Sequence, residues 1–135
     1  MQNPKALIVW QRSLDLALAV YRLTGQFPSH EQFGLTAQMR RAAVSVGSNI
    51  VEGCGRWGSR ELLQFLQIAY SSAAELAFQL TIATELQYGN AVEREATVEL
   101  VDHVQRMLNR LMVTKRAALT DRRPGRASSR KPRHG

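Results

Sequence analysis

Apolar residues recur every three or four positions along most of the chain, and this spacing predicts amphipathic helices. Four predicted helices span about residues 7–24, 35–52, 59–88 and 92–119. No segment shows the two-residue alternation that is typical of a strand. Because the connections are short, neighbouring helices should run antiparallel. The pattern therefore predicts an all-α fold, an antiparallel up-down-up-down four-helix bundle within residues 1–120.

Each predicted helix carries an apolar stripe that should face the core. In the first helix these positions are Leu7, Trp10, Leu14, Ala17 and Tyr21. In the next two they are Leu35, Met39, Ala42, Val46 and Ile50, then Leu62, Leu66, Ala69, Ala73, Leu76, Leu80 and Ala83. In the fourth they are Val101, Val104, Leu108 and Leu111. We expect Gly53 to end the second helix and Ser59 to cap the third.

The third predicted helix is unusual because it has almost no charge. Between Leu62 and Thr84 its only charged residue is Glu75. Further apolar side chains lie off its main stripe, namely Leu63, Phe65, Tyr70 and Phe78. A bundle helix in a monomer normally exposes a face of Lys and Glu to solvent. We therefore predict that a second copy of the chain covers this helix in a homo-oligomer.

Polar residues follow one side of the second helix at helical spacing, namely Gln38, Arg41, Ser45, Asn49 and Glu52. Such a stripe usually faces solvent, but the segment from Ala42 to Val51 is uncharged and rich in small residues, which favours close helix contact. A lone charge in an apolar stretch requires a partner. We therefore expect a partly buried polar network that joins Glu75 to Arg41 or Gln38, with Ser72 and Asn49 nearby.

Positive charge is concentrated at the C-terminal end. The net charge of the 135 residues is +7. In residues 121–135, six basic residues less Asp121 give +5, which leaves +2 for the other 120 residues. The basic residues are Arg122, Arg123, Arg126, Arg130, Lys131 and Arg133. This segment is rich in Pro, Gly and Ser and has no large apolar residue, which predicts a disordered basic tail. Such a tail either attracts polyanions through salt-sensitive contacts or only adds solubility.

Composition narrows the class of protein further. The length favours one domain, and 44% hydrophobic residues are typical of a globular chain. A single cysteine, Cys54, excludes an internal disulfide and a cysteine-rich metal site. Neither a signal peptide nor a long apolar stretch is evident, so we expect a cytoplasmic protein without a membrane segment.

Residues 53–58 spell the glycine pattern G-x-G-x-x-G. In dinucleotide-binding folds this pattern follows a strand, whereas here a helix precedes it. The pattern therefore predicts a turn between helices. Backbone N–H groups at the start of the third helix, beside Arg56 and Arg60, can still hold a phosphate of a nucleic acid.

No arrangement typical of catalysis is present. The three histidines are scattered, and Glu99 lies four residues before His103 rather than the three of a di-iron bundle. No nucleophile has a base near it in sequence. We expect a protein that is not an enzyme and binds neither cofactor nor metal.

The motifs of the first three helices resemble those of a known family. They are Val9-Trp10-Gln11, Phe27-Pro28, Glu31-x-Phe33-Gly34-Leu35-Thr36-x-Gln38, Arg40-Arg41-Ala42, Ser45, Ser48-Asn49-Ile50, Glu52-Gly53, Gly55-Arg56 and the run from Glu61 to Ala69. The chain resembles the four-helix-bundle proteins encoded in intervening sequences of bacterial large-subunit ribosomal RNA genes. These are related in turn to the accessory variability protein of diversity-generating retroelements. The resemblance extends from Val9 to the end of the fourth helix.

This resemblance implies a cytoplasmic homo-oligomer, a pentamer of bundles that forms a barrel with a basic surface. For the retroelement relatives it also implies binding of a reverse transcriptase and of nucleic acid. For the intervening-sequence proteins it implies little beyond the fold. One departure is Ser71-Ser72, where the family usually has Gly-Ser, and the larger Ser71 can loosen a close helix crossing.

Two hypotheses for the function follow. In the first, the bundle is a scaffold that binds RNA or DNA, with a reverse transcriptase as a further partner. Its contact residues would be those of the tail together with Arg40, Arg41, Arg56, Arg60, Arg106 and Arg110. In the second, the bundle is a structural protein that docks a protein partner through apolar surface. A reverse transcriptase gene nearby would favour the accessory role, and a ribosomal RNA locus would favour the intervening-sequence type.

Overall fold

The computed structural model describes residues 4–56 and 58–121, and these form four α-helices. The helices are α1 (Pro4–Thr24), α2 (Leu35–Cys54), α3 (Ser59–Glu85) and α4 (Ala91–Asp121), with one 3-10 turn at Ser29–Glu31. Within the described residues there is no strand. The predicted all-α bundle is confirmed. The predicted disordered tail was residues 121–135. Asp121 is instead the last residue of α4, and residues 122–135 lie outside the described residues.

Each helix packs against the next, and α4 closes the bundle against α1. The most extensive contact joins α2 and α3. Side-chain hydrogen bonds show the antiparallel register, since Arg116 near the end of α4 donates to Gln67 near the start of α3 (3.1 Å). At 1.5 Å per residue, α3 and α4 are about 40 and 46 Å long and α1 and α2 about 30 Å.

The core confirms the predicted stripe of α3 almost completely. Six of its seven positions are fully buried, namely Leu66, Ala69, Ala73, Leu76, Leu80 and Ala83, and Leu62 at the start is partly buried. The predicted positions of α2 and α4 are buried as well. One continuous hydrophobic core therefore runs along the bundle axis.

The predicted stripe of α1 is wrong at three of its five positions, whereas Trp10 and Ala17 are partly buried against the core. Its predicted residues Leu7, Leu14 and Tyr21 are 39–45% exposed. The core instead receives the neighbouring stripe of Ala6, Val9, Ser13, Leu16, Val20 and Leu23. Ser13 fits there because its hydroxyl donates to the Trp10 carbonyl (2.6 Å). Since α1 is apolar on two adjacent sides, spacing alone does not decide which side faces inward.

Gly53 has a role different from the predicted one. The helix α2 continues past it to Cys54, and Gly53 is buried inside the last turn. A Cβ atom at this position would lie 2.8 Å from the Cβ of Phe65 in α3. The glycine therefore permits the close approach of α2 and α3, and the helix ends at Cys54 with Gly55 as its C-cap. Ser59 is the first residue of α3 rather than its cap, and the preceding Gly58 provides no side-chain cap.

The α3–α4 connection is held by a buried arginine. Arg94 is 9% exposed, and its Nη1 donates to the carbonyls of Tyr88 (2.7 Å) and Gly89 (3.0 Å). Gln87 and Gly89 both have positive φ, so this turn is constrained. The sequence did not predict this role, because Arg94 lies between Glu93 and Glu95, and such alternating charges are typical of a solvent-exposed helix.

We expect Arg94→Met to lower the free energy of unfolding by about 1–3 kcal/mol, because two carbonyls lose a charged donor. Arg106→Met is the matched control in the same helix, since Arg106 makes only an exposed ion pair with Asp102. The control should cost less than about 0.5 kcal/mol. Urea unfolding at one protein concentration measures both variants, and equal losses would contradict the role assigned to Arg94.

Candidate nucleic-acid interface

Antiparallel packing gathers basic residues at the end of the bundle where α1 and α3 begin and α2 and α4 finish. We call this the basic end and define it by Lys5, Arg56, Arg60, Arg110, Lys115 and Arg116. The acidic residues in the same region are Glu52, Glu61 and Asp121. Because α4 finishes here, the chain enters its most basic segment, residues 122–135, from this end. Positive charge that is scattered in sequence is therefore concentrated in space.

Helix dipoles do not account for this concentration of positive charge. The acidic Glu93 lies in the first turn of α4, where it stabilises the helix, but the last turns of α2 and α4 contain no basic residue. The basic end produces a positive electrostatic field, which attracts polyanions over about a Debye length.

Arg56 is held in a fixed position at the basic end. Its Nη2 donates to the Glu52 carboxylate (2.9 Å), and its guanidinium carbon lies 5.0 Å from the centre of the Phe65 ring. Its side chain remains 43% exposed. A guanidinium that is oriented in this way presents its remaining N–H groups to solvent, which suits contact with a phosphate.

Arg60 and Arg110 have no partner in the part of the chain that the structure describes. Both are exposed, and within residues 4–56 and 58–121 neither side chain makes a hydrogen bond or ion pair. Arg60 lies in the first turn of α3. Arg110 borders a groove of about 340 Å³ between α1 and α4, together with Lys5 and Ile8. These two arginines are available for contacts with another molecule.

The structure places the other predicted binding residues away from the basic end. Arg40 joins α2 to α1, because its Nε donates to Thr24 (2.9 Å) and its guanidinium lies 4.6 Å over the Tyr21 ring. Arg41 is exposed on the outer side of α2. Arg106 pairs with Asp102 near the middle of α4. The six predicted arginines of the bundle therefore do not form one surface.

Three members of the basic end were missed by the sequence analysis, namely Lys5, Lys115 and Arg116. Arg116 is oriented by its hydrogen bond to Gln67. Basic residues are common on the solvent side of a predicted helix, so their sequence positions alone do not indicate a binding role. Only the antiparallel arrangement shows that they join Arg56 and Arg60 across the bundle.

The glycine pattern at residues 53–58 follows a helix, as expected, and not a strand. Its first glycine is inside α2 and its third precedes α3, so it forms the interhelix turn that the context predicted. Cys54 is a free, partly buried cysteine. Burial raises the pKa of its thiol, so the reactive thiolate is scarce at neutral pH.

At the opposite end, Glu31 ties the α1–α2 connection to the end of α3. Its carboxylate accepts hydrogen bonds from the Leu35 backbone N–H (3.1 Å) and the Tyr88 hydroxyl (3.0 Å). These bonds lower the pKa of Glu31. Burial, followed by the bond to Glu31, raises the pKa of Tyr88. This arrangement has a structural role and keeps the carboxylate ionised.

The expected network around Glu75 is wrong in its charged part. Glu75 is exposed and makes no ion pair or hydrogen bond within the described residues. The polar contact between α2 and α3 is made by Ser45 and Ser72, whose hydroxyls are 2.8 Å apart, and Asn49 donates to Ser45 (3.0 Å). The prediction that Glu75 lies at the same height along the bundle as Arg41 was right. However, Ser72 faces α2, whereas Glu75 lies further out on α3.

Two further expectations concern metals and membranes. No group of three or more His, Cys, Asp or Glu that could hold a metal ion occurs in the part of the chain that the structure describes. Among the described helices, none is both long enough and apolar enough to span a membrane.

Comparison with known proteins supports the resemblance found in the sequence. Residues 5–110 match the model of the 23S rRNA-intervening sequence protein family. The chain belongs to this family. No curated protein matches it. The relation to retroelement accessory proteins stays a prediction.

The fold is shared with a solved structure. A Bacteroides thetaiotaomicron VPI-5482 protein of unknown function, from the S23 ribosomal protein family, superimposes with a TM-score of 0.73 at 21% identity. The match covers 80% of this chain and 97% of the other. At this identity the similarity establishes the bundle fold alone.

Proposed function

We propose that this family member is a non-enzymatic, homo-oligomeric scaffold that binds nucleic acid through its basic end and its C-terminal segment. The observation that carries the proposal is the basic end itself. There, Arg60 and Arg110 have no partner among the described residues, Arg56 is held by Glu52 and Phe65 with its side chain 43% exposed, and the chain continues into six more basic residues. The family's link to 23S rRNA intervening sequences favours RNA over DNA.

Binding at this end would depend mainly on phosphate contacts. Each arginine or lysine that neutralises a phosphate releases condensed counterions, which makes affinity steeply dependent on salt. Phosphate contacts carry no sequence information, so little sequence preference is expected. Several copies in one oligomer would present several such ends to one nucleic acid, which raises avidity without new contacts.

The homo-oligomer is supported by the outer side of α3. Ile68 is 48% exposed and Phe78 is 67% exposed there, in the stretch from Leu62 to Thr84 whose only charged residue is Glu75. We predict an assembly larger than the 15.1 kDa monomer at micromolar concentration. Light scattering or sedimentation measures this mass. Detection of the monomer alone would contradict the predicted homo-oligomer. A stable dimer or tetramer would contradict only the pentamer that the resemblance implies.

Salt titration tests nucleic-acid binding. We compare the full chain with residues 1–121, which keep all four helices, on single-stranded and duplex RNA and DNA. Removing six basic residues should flatten the plot of log affinity against log salt by up to about five units. The truncated protein should still bind in a salt-sensitive way. If neither form binds at low salt, the nucleic-acid function is contradicted.

A protein-docking bundle is the second candidate, because α1 exposes apolar side chains. Leu14, Leu18 and Tyr21 are each about half exposed on one side of α1. In this case the positive charge would only add solubility. A reverse transcriptase would be a further partner of the nucleic-acid scaffold, and co-purification with a reverse transcriptase from the same organism tests that narrower role.

The protein-docking bundle has its own test, which is co-purification with a protein partner. Absence of nucleic-acid binding together with co-purification would favour this candidate.

A further inference from the structure

Two opposite charges lie unpaired beside the same cleft. Arg41 of α2 and Glu75 of α3 border a cleft of about 590 Å³ on the outer side of these helices. Both side chains are exposed, and within the described ranges neither forms an ion pair or hydrogen bond. Arg40 also borders the cleft, but its guanidinium is already bonded to Thr24 and packed on Tyr21.

The polar groups at the base of this cleft already have partners. The Ser45 and Ser72 hydroxyls are hydrogen-bonded to each other, and Asn49 donates to both the hydroxyl and the carbonyl of Ser45. These contacts fix the α2–α3 crossing within one chain. The groups left for an outside partner are therefore the charges of Arg41 and Glu75.

The rest of the outer side of α3 is uncharged. Its exposed residues between positions 64 and 81 other than Glu75 are Gln64, Gln67, Ile68, Ser71, Ala74, Phe78 and Thr81. Glu75 thus lies between two exposed apolar side chains, Ile68 and Phe78. Exposed apolar groups around a single charge are typical of a surface that another protein molecule covers.

We propose that this outer side of α2 and α3 is where two copies of the chain meet, and that Arg41 pairs with Glu75 of the partner subunit. The inference rests on the homo-oligomer proposed above and assigns its interface. The cleft carries both signs of charge, so it is complementary to a second copy of itself. Nucleic acid is disfavoured there because Glu75 repels phosphate.

The surface is close to the size that this occupant needs. Two adjacent helices of about 30 and 40 Å, each about 10 Å wide, present at most roughly 700 Å², and a standard stable interface buries about 800 Å² on each partner. Arg60 lies about 20 Å along α3 from Glu75, and Arg110 lies on α4, so a contact centred on the cleft leaves both accessible.

Charge reversal tests the pairing in the full-length protein. Arg41→Glu and Glu75→Arg each place like charges across the contact, so each should raise the dissociation constant of self-association about tenfold or more. The double variant should recover assembly. An equimolar mixture of the two single variants should also recover it, because opposite charges then meet between chains. Sedimentation at several concentrations measures all four samples.

Arg12→Glu and Asp15→Arg are the matched controls. This exposed pair, 2.6 Å apart, lies within α1 and has the same charges. Both variants should assemble like the wild type, and circular dichroism checks that all variants fold. Recovery by the double variant without recovery by the mixture would overturn the inference, since the pair would then form within one chain.

Other outcomes separate this inference from the proposed function. If the wild type assembles and both reversals leave assembly unchanged, the interface is overturned while the scaffold stands. Weaker RNA binding by Arg41→Glu in that case would assign Arg41 to nucleic acid. If the wild type is monomeric, both the interface and the homo-oligomer are overturned.

Discussion

The Gly53→Val variant should lose about 2–3 kcal/mol of unfolding free energy, because this position has no room for a side chain. A Cβ atom there would lie 2.8 Å from the Cβ of Phe65 and 3.0 Å from a methyl group of Leu62. The Phe65 Cβ is next to the backbone and cannot move without moving α3. The helices α2 and α3, which share the largest contact in the bundle, would have to separate.

Gly55→Val is the matched control for this prediction. Gly55 follows α2, has a negative φ, and is exposed. A Cβ atom there would meet only backbone oxygens at ordinary distances, 3.6 Å or more. Its change in unfolding free energy should stay below about 1 kcal/mol. Denaturant unfolding at matched protein concentration measures both, since assembly adds a concentration-dependent term. Equal destabilisation would contradict the close helix approach.

The second large effect concerns binding. Replacing Arg60 and Arg110 with glutamine should weaken RNA binding roughly tenfold to hundredfold near 0.1 M salt and flatten the salt dependence by about two units. The physical reason is the loss of two phosphate contacts. Because neither side chain has a partner within residues 4–56 and 58–121, folding should be unaffected. Filter binding or fluorescence anisotropy at several salt concentrations provides the measurement.

Replacing Arg12 and Arg22 with glutamine removes the same charge from α1, away from the basic end. This control should weaken binding only slightly, through the smaller net charge. If the two double variants bind equally well, net charge rather than the basic end determines affinity, and the interface assigned to this end would be wrong.

The fold was predictable from the sequence because the three- and four-residue spacing of apolar positions identifies the helices. The short connections then leave few ways to pack these helices together. The stripe of α3 identified its core face almost residue by residue, since its apolar positions follow steps of three and four residues without a break. The same method failed for α1, where Leu7 and Leu14 form an apolar stripe beside the buried stripe of Val9 and Leu16. Only packing against α2 and α4 decides between two adjacent apolar sides.

The candidate site was less predictable than the fold. Arg56 and Arg60 were recognised from their turn, but their proximity to Lys5 and Arg116 depends on tertiary packing. Sequence spacing likewise placed Glu75 at the level of Arg41, yet it could not show that both side chains point outward. Long charged side chains reach several positions from one backbone, so their partners are fixed by the structure and not by the spacing.

Nucleic-acid binding by the folded bundle, rather than by the basic segment alone, is the central claim. Sedimentation of residues 1–121 with one labelled RNA in low salt tests it directly. We predict that the RNA sediments with an assembly of several protein copies and is released as salt increases. An RNA that sediments alone beside the truncated protein, although the full-length chain binds it, would contradict the claim.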